Sequence, residues 1–152
     1  MNAIDPTDVE MLNEYYFETM HHEFAHILHQ KKNYPTEYNQ ISAADYSSTG
    51  WQNRTEQQAW KLGFVTPYAG MEPQEDFVEV IANYLVKPDG FWENMLANAG
   101  TEGATKIQTK FDMVKEWLMT AWNIDIDELR TIIIRRSGDI DSILNEKIAY
   151  NE

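Results

Sequence analysis

The sequence of this 152-residue chain predicts a mainly α fold with little or no β-sheet. Three observations lead to this prediction. Apolar residues recur every three or four positions along most of the chain. Several of these segments carry helix-capping residues at their ends, and β-branched runs typical of strands are few. No linker-like segment divides the chain, so residues 1–152 are expected to form a single domain.

The first predicted helix begins at Asp5-Pro6-Thr7-Asp8, where a capping Asp precedes a proline in the first turn. It is expected to reach about Gln30, because apolar residues follow at helical spacing. The members of this apolar stripe are Val9, Leu12, Tyr16, Met20, Phe24 and Ile27. Residues 31–54 are polar and are expected to form a long irregular segment with a short helix inside it.

The remaining elements are also predicted to be helices. Thr55 to Gln58 fits a capping box, and the short helix that it opens should stop at Gly63. A second main helix should start near Pro73 and stop at Lys87-Pro88-Asp89-Gly90. Further helices are expected over residues 91–98, along the amphipathic run from Ile107 to Ala121, from a cap at residues 125–128 to Gly138, and over residues 140–149.

Composition excludes several classes of function. The chain has 12 Lys and Arg against 25 Asp and Glu, a net charge of −13, which argues against nucleic acid and anionic membranes as partners. It has no cysteine, so disulfides, thiolate metal sites and cysteine nucleophiles are excluded. No apolar run is long enough for a transmembrane segment, and the acidic N-terminal residues do not resemble an export signal.

The motif with the clearest chemical meaning is H-E-x-x-H, which runs from His22 to His26 with Glu23 beside the first histidine. Residues four apart share one face of a helix, so His22 and His26 can bind one zinc ion together. Glu23 can then act on a water at the open coordination position. The alternative interpretation, a solvated or core-capping histidine pair, remains open for the motif taken alone.

A catalytic zinc needs a third protein ligand. His29 lies on the same helix face, but seven residues separate it from His22, which is about 10 Å along a straight helix. The spacing therefore argues against His29, and His21 points off this face.

A better third ligand is predicted at the start of the second main helix. Glu75 and Glu79 lie four residues apart there and would share one helix face. Glu75 could complete the zinc site, while Glu79 could accept the free N–H of a ligating histidine. The alternative is that these acids only complement the helix dipole.

Two longer segments, HHEFAHILHQ and GFVTPYAGMEPQEDFVE, resemble a family of zinc-binding metallopeptidases known as substrate import-associated zinc metallohydrolase lipoproteins. The similarity runs from about Asp5 to about Arg135. H-E-x-x-H followed some 50 residues later by E-x-x-x-(D/E) also resembles the gluzincins, of which thermolysin is the familiar example. The resemblance implies the helical part of a zincin fold, with His22, His26 and Glu75 as zinc ligands and Glu23 as the general base.

The resemblance extends to Tyr68, which stands seven residues before Glu75. Lethal factor-like zincins have a tyrosine at this spacing, and it points at the reacting carbonyl. This similarity implies that the phenol of Tyr68 stabilises the developing oxyanion. The alternative is an ordinary packed tyrosine after Pro67.

The implied activity is zinc-dependent hydrolysis of a peptide or amide bond in a peptide or protein substrate. The resemblance also implies a place in the cell envelope, beside an outer-membrane import system. Zincins usually place a sheet before the H-E-x-x-H helix, whereas the 21 residues before His22 read as helix, so this sheet is expected to be lacking. The chain could therefore instead be an inactive, zinc-stabilised accessory protein of a nutrient-import system, or a metal-free structural fragment.

Overall fold

A computed structural model of the chain describes residues 7–8 and 11–150. Within these residues every regular element is a helix and no strand occurs, which confirms the prediction of a mainly α fold. A π-helical segment covers Leu12–Phe17, and the α-helices are α1 (Glu18–Lys31), α2 (Glu56–Lys61), α3 (Pro73–Val86), α4 (Phe91–Asn98), α5 (Gly100–Trp122) and α6 (Ile126–Tyr150). Short 3-10 helices cover Thr36–Gln40, Gly50–Asn53 and Tyr68–Gly70.

Helix α3 is the centre of the molecule and packs against α1, α5 and α6. Its residue Phe77 is fully buried. The ring of Phe77 stacks on Tyr34 at a centroid distance of 4.2 Å and meets Tyr38 and Trp117 edge to face, both at 5.1 Å. This aromatic cluster fixes α3 in the core, so residues at the start of α3 have a defined position.

Helix α1 presents a different face to the core than its hydropathy suggests. Four members of the predicted apolar stripe are exposed: Tyr16 (53%), Met20 (45%), Phe24 (53%) and Ile27 (52%). The buried residues of α1 are Ala25, Leu28 and His29. The histidine face packs against α3, so the stripe on the opposite side of α1 is left facing solvent. The predicted start of this helix at Asp5-Pro6, and Val9 of the stripe, lie outside the described residues.

The predicted capping box of α2 is confirmed. The backbone N–H of Gln58 donates to Oγ1 of Thr55 at 3.2 Å, and the backbone N–H of Thr55 donates to Oε1 of Gln58 at 2.9 Å. The helix ends just before Gly63, whose φ of +89° is in the left-handed region. A Cβ at this position would lie 2.5 Å from Cβ of Lys106, so glycine also permits α5 to approach closely.

The predicted boundaries of the later helices are partly wrong. Helices α3 and α4 agree with the predictions, and α5 contains the whole predicted amphipathic run from Ile107 to Ala121 and begins at Gly100. Helix α6 continues through Gly138 to Tyr150, so the predicted helix end at Gly138 and the separate helix over 140–149 are wrong. A glycine inside a helix costs only about 1 kcal/mol relative to alanine, which is too little to end a helix by itself. Among the described residues, no helix is both long and apolar enough to cross a membrane.

Candidate metal centre

Helices α1 and α3 bring together the three residues predicted as zinc ligands. Nε2 of His22 lies 3.0 Å from Oε2 of Glu75, and Nε2 of His26 lies 3.2 Å from the same oxygen. One donor atom from each of the three residues lies within 4.8 Å of the other two. The three side chains are only partly exposed, between 13% and 16%. Two imidazole nitrogens and one carboxylate oxygen therefore meet in a small, largely desolvated volume.

These distances fit the requirements of zinc. Bonds of about 2.0–2.1 Å to nitrogen and about 2.0–2.2 Å to oxygen place neighbouring ligand atoms about 3.3 Å apart in a tetrahedral site. The two separations between histidine nitrogen and Glu75 oxygen are close to this value. Two histidines and one glutamate also form a donor set that zinc uses in catalytic sites, where the fourth position stays open.

Glu79 lies behind His22 and is held by several partners. Its Oε2 accepts from Nδ1 of His22 at 3.3 Å, and its Oε1 accepts from the hydroxyl of Thr66 at 3.0 Å. The amide of Asn83 donates to the backbone oxygen of Glu79 at 2.9 Å and to Oε2 at 3.3 Å. If Nε2 of His22 binds a metal, the single proton of the neutral ring sits on Nδ1, where Oε2 of Glu79 accepts it.

The electrostatic field of the centre favours a cation. Burial acts to lower the pKa of His22, but the hydrogen bond to Glu79 and the negative charges of Glu79, Glu75 and Glu23 outweigh it and raise the pKa. The same carboxylates that stabilise an extra proton on His22 would stabilise a bound metal cation. A metal and that proton would compete, because a ligating histidine must be neutral.

Glu23 and Tyr68 both lie near His22. Glu23 is exposed, and its charge reaches His22. The ring centroid of Tyr68 lies 6.0 Å from that of His22 and 5.1 Å from that of Trp51. Burial, followed by the charge of Glu75 and a hydrogen bond with it, raises the pKa of Tyr68. The phenol is therefore protonated at neutral pH and is a hydrogen-bond donor beside Glu75.

A buried ion pair beside Glu75 was not predicted from the sequence. Nζ of Lys110 lies 2.7 Å from Oδ2 of Asp76, and both side chains are fully buried. Lys110 also donates to the backbone oxygen of Gly63 at 2.7 Å, and Tyr46 donates to Asp76 at 2.6 Å. These bonds tie the first turn of α3, which carries Glu75, to α5 and to the end of α2. Lys110 and Asp76 lie on different helices, and no sequence spacing relates them. The pair therefore becomes visible only in the folded structure.

His29 was considered in the sequence only as a third ligand. In the structure Oε2 of Glu75 lies beside Nε2 of both His22 and His26, whereas Nε2 of His29 lies 2.9 Å from Nδ1 of His26. Burial and then the charge of His26 lower the pKa of His29, which keeps its imidazole neutral near pH 7. The i,i+3 spacing of the two histidines was the available signal for this contact. His21 is half-buried.

Comparisons with known proteins agree on one family. The model of a family described as "Putative zinc-binding metallo-peptidase" matches residues 1–127. A crystal structure of a protein from Bacteroides caccae ATCC 43185, described in the same words, superimposes with a TM-score of 0.86 and 52% sequence identity. The match covers 91% of this chain but 53% of that protein, so this chain spans about half of its length. No curated protein matches the chain.

Proposed function

Since the chain belongs to the family described as "Putative zinc-binding metallo-peptidase", we propose that it is a zinc-dependent hydrolase of peptide or amide bonds. The metal ligands are His22, His26 and Glu75. One observation carries this proposal: Nε2 of each histidine lies within 3.2 Å of the same oxygen of Glu75. In the same proposal, α1 and α3 form the helical part of a gluzincin-type zincin.

The residues around the centre suggest how the reaction proceeds. When bound, zinc supplies Lewis acidity and lowers the pKa of a coordinated water to about 7. Glu23, which is exposed beside His22, takes a proton from the attacking water and passes it to the leaving nitrogen. The protonated phenol of Tyr68 donates a hydrogen bond to the oxygen of the reacting carbonyl. Glu79 keeps His22 in the tautomer that leaves Nε2 unprotonated.

The first test is the zinc content of protein purified without added metal. We expect about one zinc per chain, and Glu75→Ala should lose it because two histidines alone hold a catalytic zinc poorly. Glu93→Ala is the matched control, since Glu93 is an exposed acid in the first turn of α4, as Glu75 is in the first turn of α3. A parent chain that takes up no zinc on titration would contradict the proposal, as would a Glu75→Ala variant with unchanged metal content.

The second part of the test separates an enzyme from a binding protein. The zinc-loaded chain is incubated with a peptide library, and new termini are identified by mass spectrometry. Glu23→Gln should retain zinc and lose cleavage, while Glu116→Gln, at an exposed position of α5, should retain both. Tyr68→Phe should retain zinc and lower kcat about 10²–10³-fold, as expected on loss of one oxyanion donor. Cleavage that survives in Glu23→Gln would remove Glu23 as the general base.

The resemblance in the sequence also supports a proposal about cellular location. We place the protein in the cell envelope, beside an outer-membrane import system, with a peptide or protein as its substrate. Fractionation of cells that express the full natural gene product, followed by immunodetection, tests this location. Recovery only in the cytoplasmic fraction would contradict it.

A further inference from the structure

His29 lies in the last turn of α1, directly behind His26 and outside the group of three proposed ligands. It is only 6% exposed. Its ring meets those of Tyr34 and Phe77 edge to face, at centroid distances of 5.7 and 6.4 Å. A buried imidazole that leaves its nitrogens unpaired is costly, so its hydrogen-bond partners indicate what the residue does.

The hydrogen bond between His26 and His29 has a defined direction if His26 binds a metal. The bond joins Nδ1 of His26 to Nε2 of His29 at 2.9 Å, and it needs one nitrogen with a proton and one with a lone pair. Nε2 of His26 faces Glu75 at 3.2 Å and needs its own lone pair for a metal. The proton of His26 therefore sits on Nδ1, and Nε2 of His29 is the acceptor.

We infer that His29 is a positioning residue that accepts the Nδ1 proton of His26 and holds Nε2 of His26 toward the metal centre. This inference rests on the metal site proposed above. Glu79 does the same for His22. The two histidines of the motif are thus oriented by different groups, His22 by a carboxylate and His26 by an imidazole.

The packing around His29 makes it suited to this role. Its ring is held between α1 and the aromatic residues Tyr34 and Phe77, so the position of the acceptor nitrogen is fixed by the core. An acceptor that is held rigidly fixes both the tautomer and the ring orientation of its ligand, and such partners affect metal affinity strongly.

The test compares three variants by their zinc affinity, measured by competition with a chromophoric chelator. His29→Phe keeps an aromatic ring in the cluster but has no acceptor, and it should weaken zinc binding by about 10–100-fold. His29→Gln offers an amide oxygen near the former Nε2 position and should restore most of the affinity. Tyr34→Phe alters the ring that contacts His29 without removing the acceptor, and its affinity should match the parent. Equal zinc affinity in His29→Phe and the parent, or an equal loss in the Phe and Gln variants, would overturn the inference.

A second measurement reads the hydrogen bond directly in the zinc-loaded protein. Nitrogen-15 NMR reports which imidazole nitrogen of His26 carries the proton and how fast that proton exchanges with water. We expect a proton on Nδ1 of His26 that exchanges slowly in the parent and faster in His29→Phe, because the variant has no acceptor. A proton on Nε2 of His26, or equal exchange in the two proteins, would overturn the role of His29. A zinc-loaded parent that cleaves no peptide but shows this proton, with faster exchange in His29→Phe, would remove the proposed function while leaving the orienting contact in place.

Discussion

Lys110 shows how one buried residue can position a site that it does not touch. Burial raises the pKa of Asp76 and lowers that of Lys110, so desolvation opposes both charges. Their mutual contact, together with the hydrogen bonds from Lys110 to Gly63 and from Tyr46 to Asp76, acts in the opposite direction and reduces this cost. Because Asp76 is adjacent to Glu75, the pair also fixes the backbone that presents the proposed ligand.

Removing one partner of this pair should be costly. Lys110→Met leaves the carboxylate of Asp76 buried without its cation, and we expect the free energy of unfolding to fall by about 3–5 kcal/mol. Urea denaturation at pH 7 measures this change. Lys106→Met is the matched control, because Lys106 forms ion pairs near the surface with Asp45 and Glu102, and its loss should cost about 0–1 kcal/mol. Similar losses of unfolding free energy in the two variants would show that the buried pair of Lys110 and Asp76 is no more important to stability than an ion pair near the surface.

At the scale of the helix, α1 and α3 use their apolar residues in opposite ways. Helix α3 buries Phe77 completely, whereas α1 leaves Phe24 53% exposed and turns its histidines inward. The inward face of α1 is occupied by polar rings because those rings converge with α3 at the candidate centre. Amphipathicity therefore describes both helices, but only α3 follows the usual rule that the apolar face is buried.

The same substitution on each helix tests this difference. Phe77→Ala removes a ring from the packed aromatic cluster and should lower the free energy of unfolding by about 3–5 kcal/mol. Phe24→Ala should change it by no more than about 0.5 kcal/mol, because the residue is largely exposed and alanine favours a helix. Urea denaturation of the two variants beside the parent gives both values. A cost for Phe24→Ala near that of Phe77→Ala would show that something covers this face of α1 in solution.

The helices illustrate what sequence alone can and cannot predict. Periodicity and caps locate helices, as the capping box of Thr55 shows, because those signals are local. Whether a helix face such as that of Phe24 is buried depends on helices far along the chain that pack against it. The hydropathy pattern of one helix does not identify those helices. The predicted helix end at Gly138 was wrong for a related reason. Glycine weakens a helix, but the helix ends there only if the neighbouring residues do not supply enough stability to continue it.

The candidate centre could also be predicted only in its local part. The i,i+4 spacing placed His22 with His26 and Glu75 with Glu79, and the fold brings the two pairs together. The roles of His22, His26 and Glu75 as zinc ligands, and of Glu79 as the acceptor behind a ligand, stay predictions. The contacts of Thr66 with Glu79 join a turn to a helix, so no local spacing could reveal them.

At the scale of the whole molecule, the proposed metal site links segments that are far apart in sequence. His26 and Glu75 are 49 residues apart, and the segment between them contains long stretches without α-helix. A metal bound to both would join α1 to α3 only in the folded state, because the unfolded chain does not hold the ligands together. Binding of this kind transfers its free energy directly to stability.

Zinc should therefore raise the thermal unfolding temperature of the metal-free chain. At a free zinc concentration 100 times Kd, the expected stabilisation is about 2.7 kcal/mol, which differential scanning calorimetry can measure. The net charge of −13 attracts divalent cations to the surface in general, so two controls are needed. Magnesium reports that general effect, since it disfavours imidazole ligands. Glu75→Gln keeps the shape of the side chain but removes the anionic ligand, so its zinc response should fall toward the magnesium level. An equal response to both ions in the parent, or an undiminished zinc response in Glu75→Gln, would show that the metal acts through the acidic surface rather than through a link between α1 and α3.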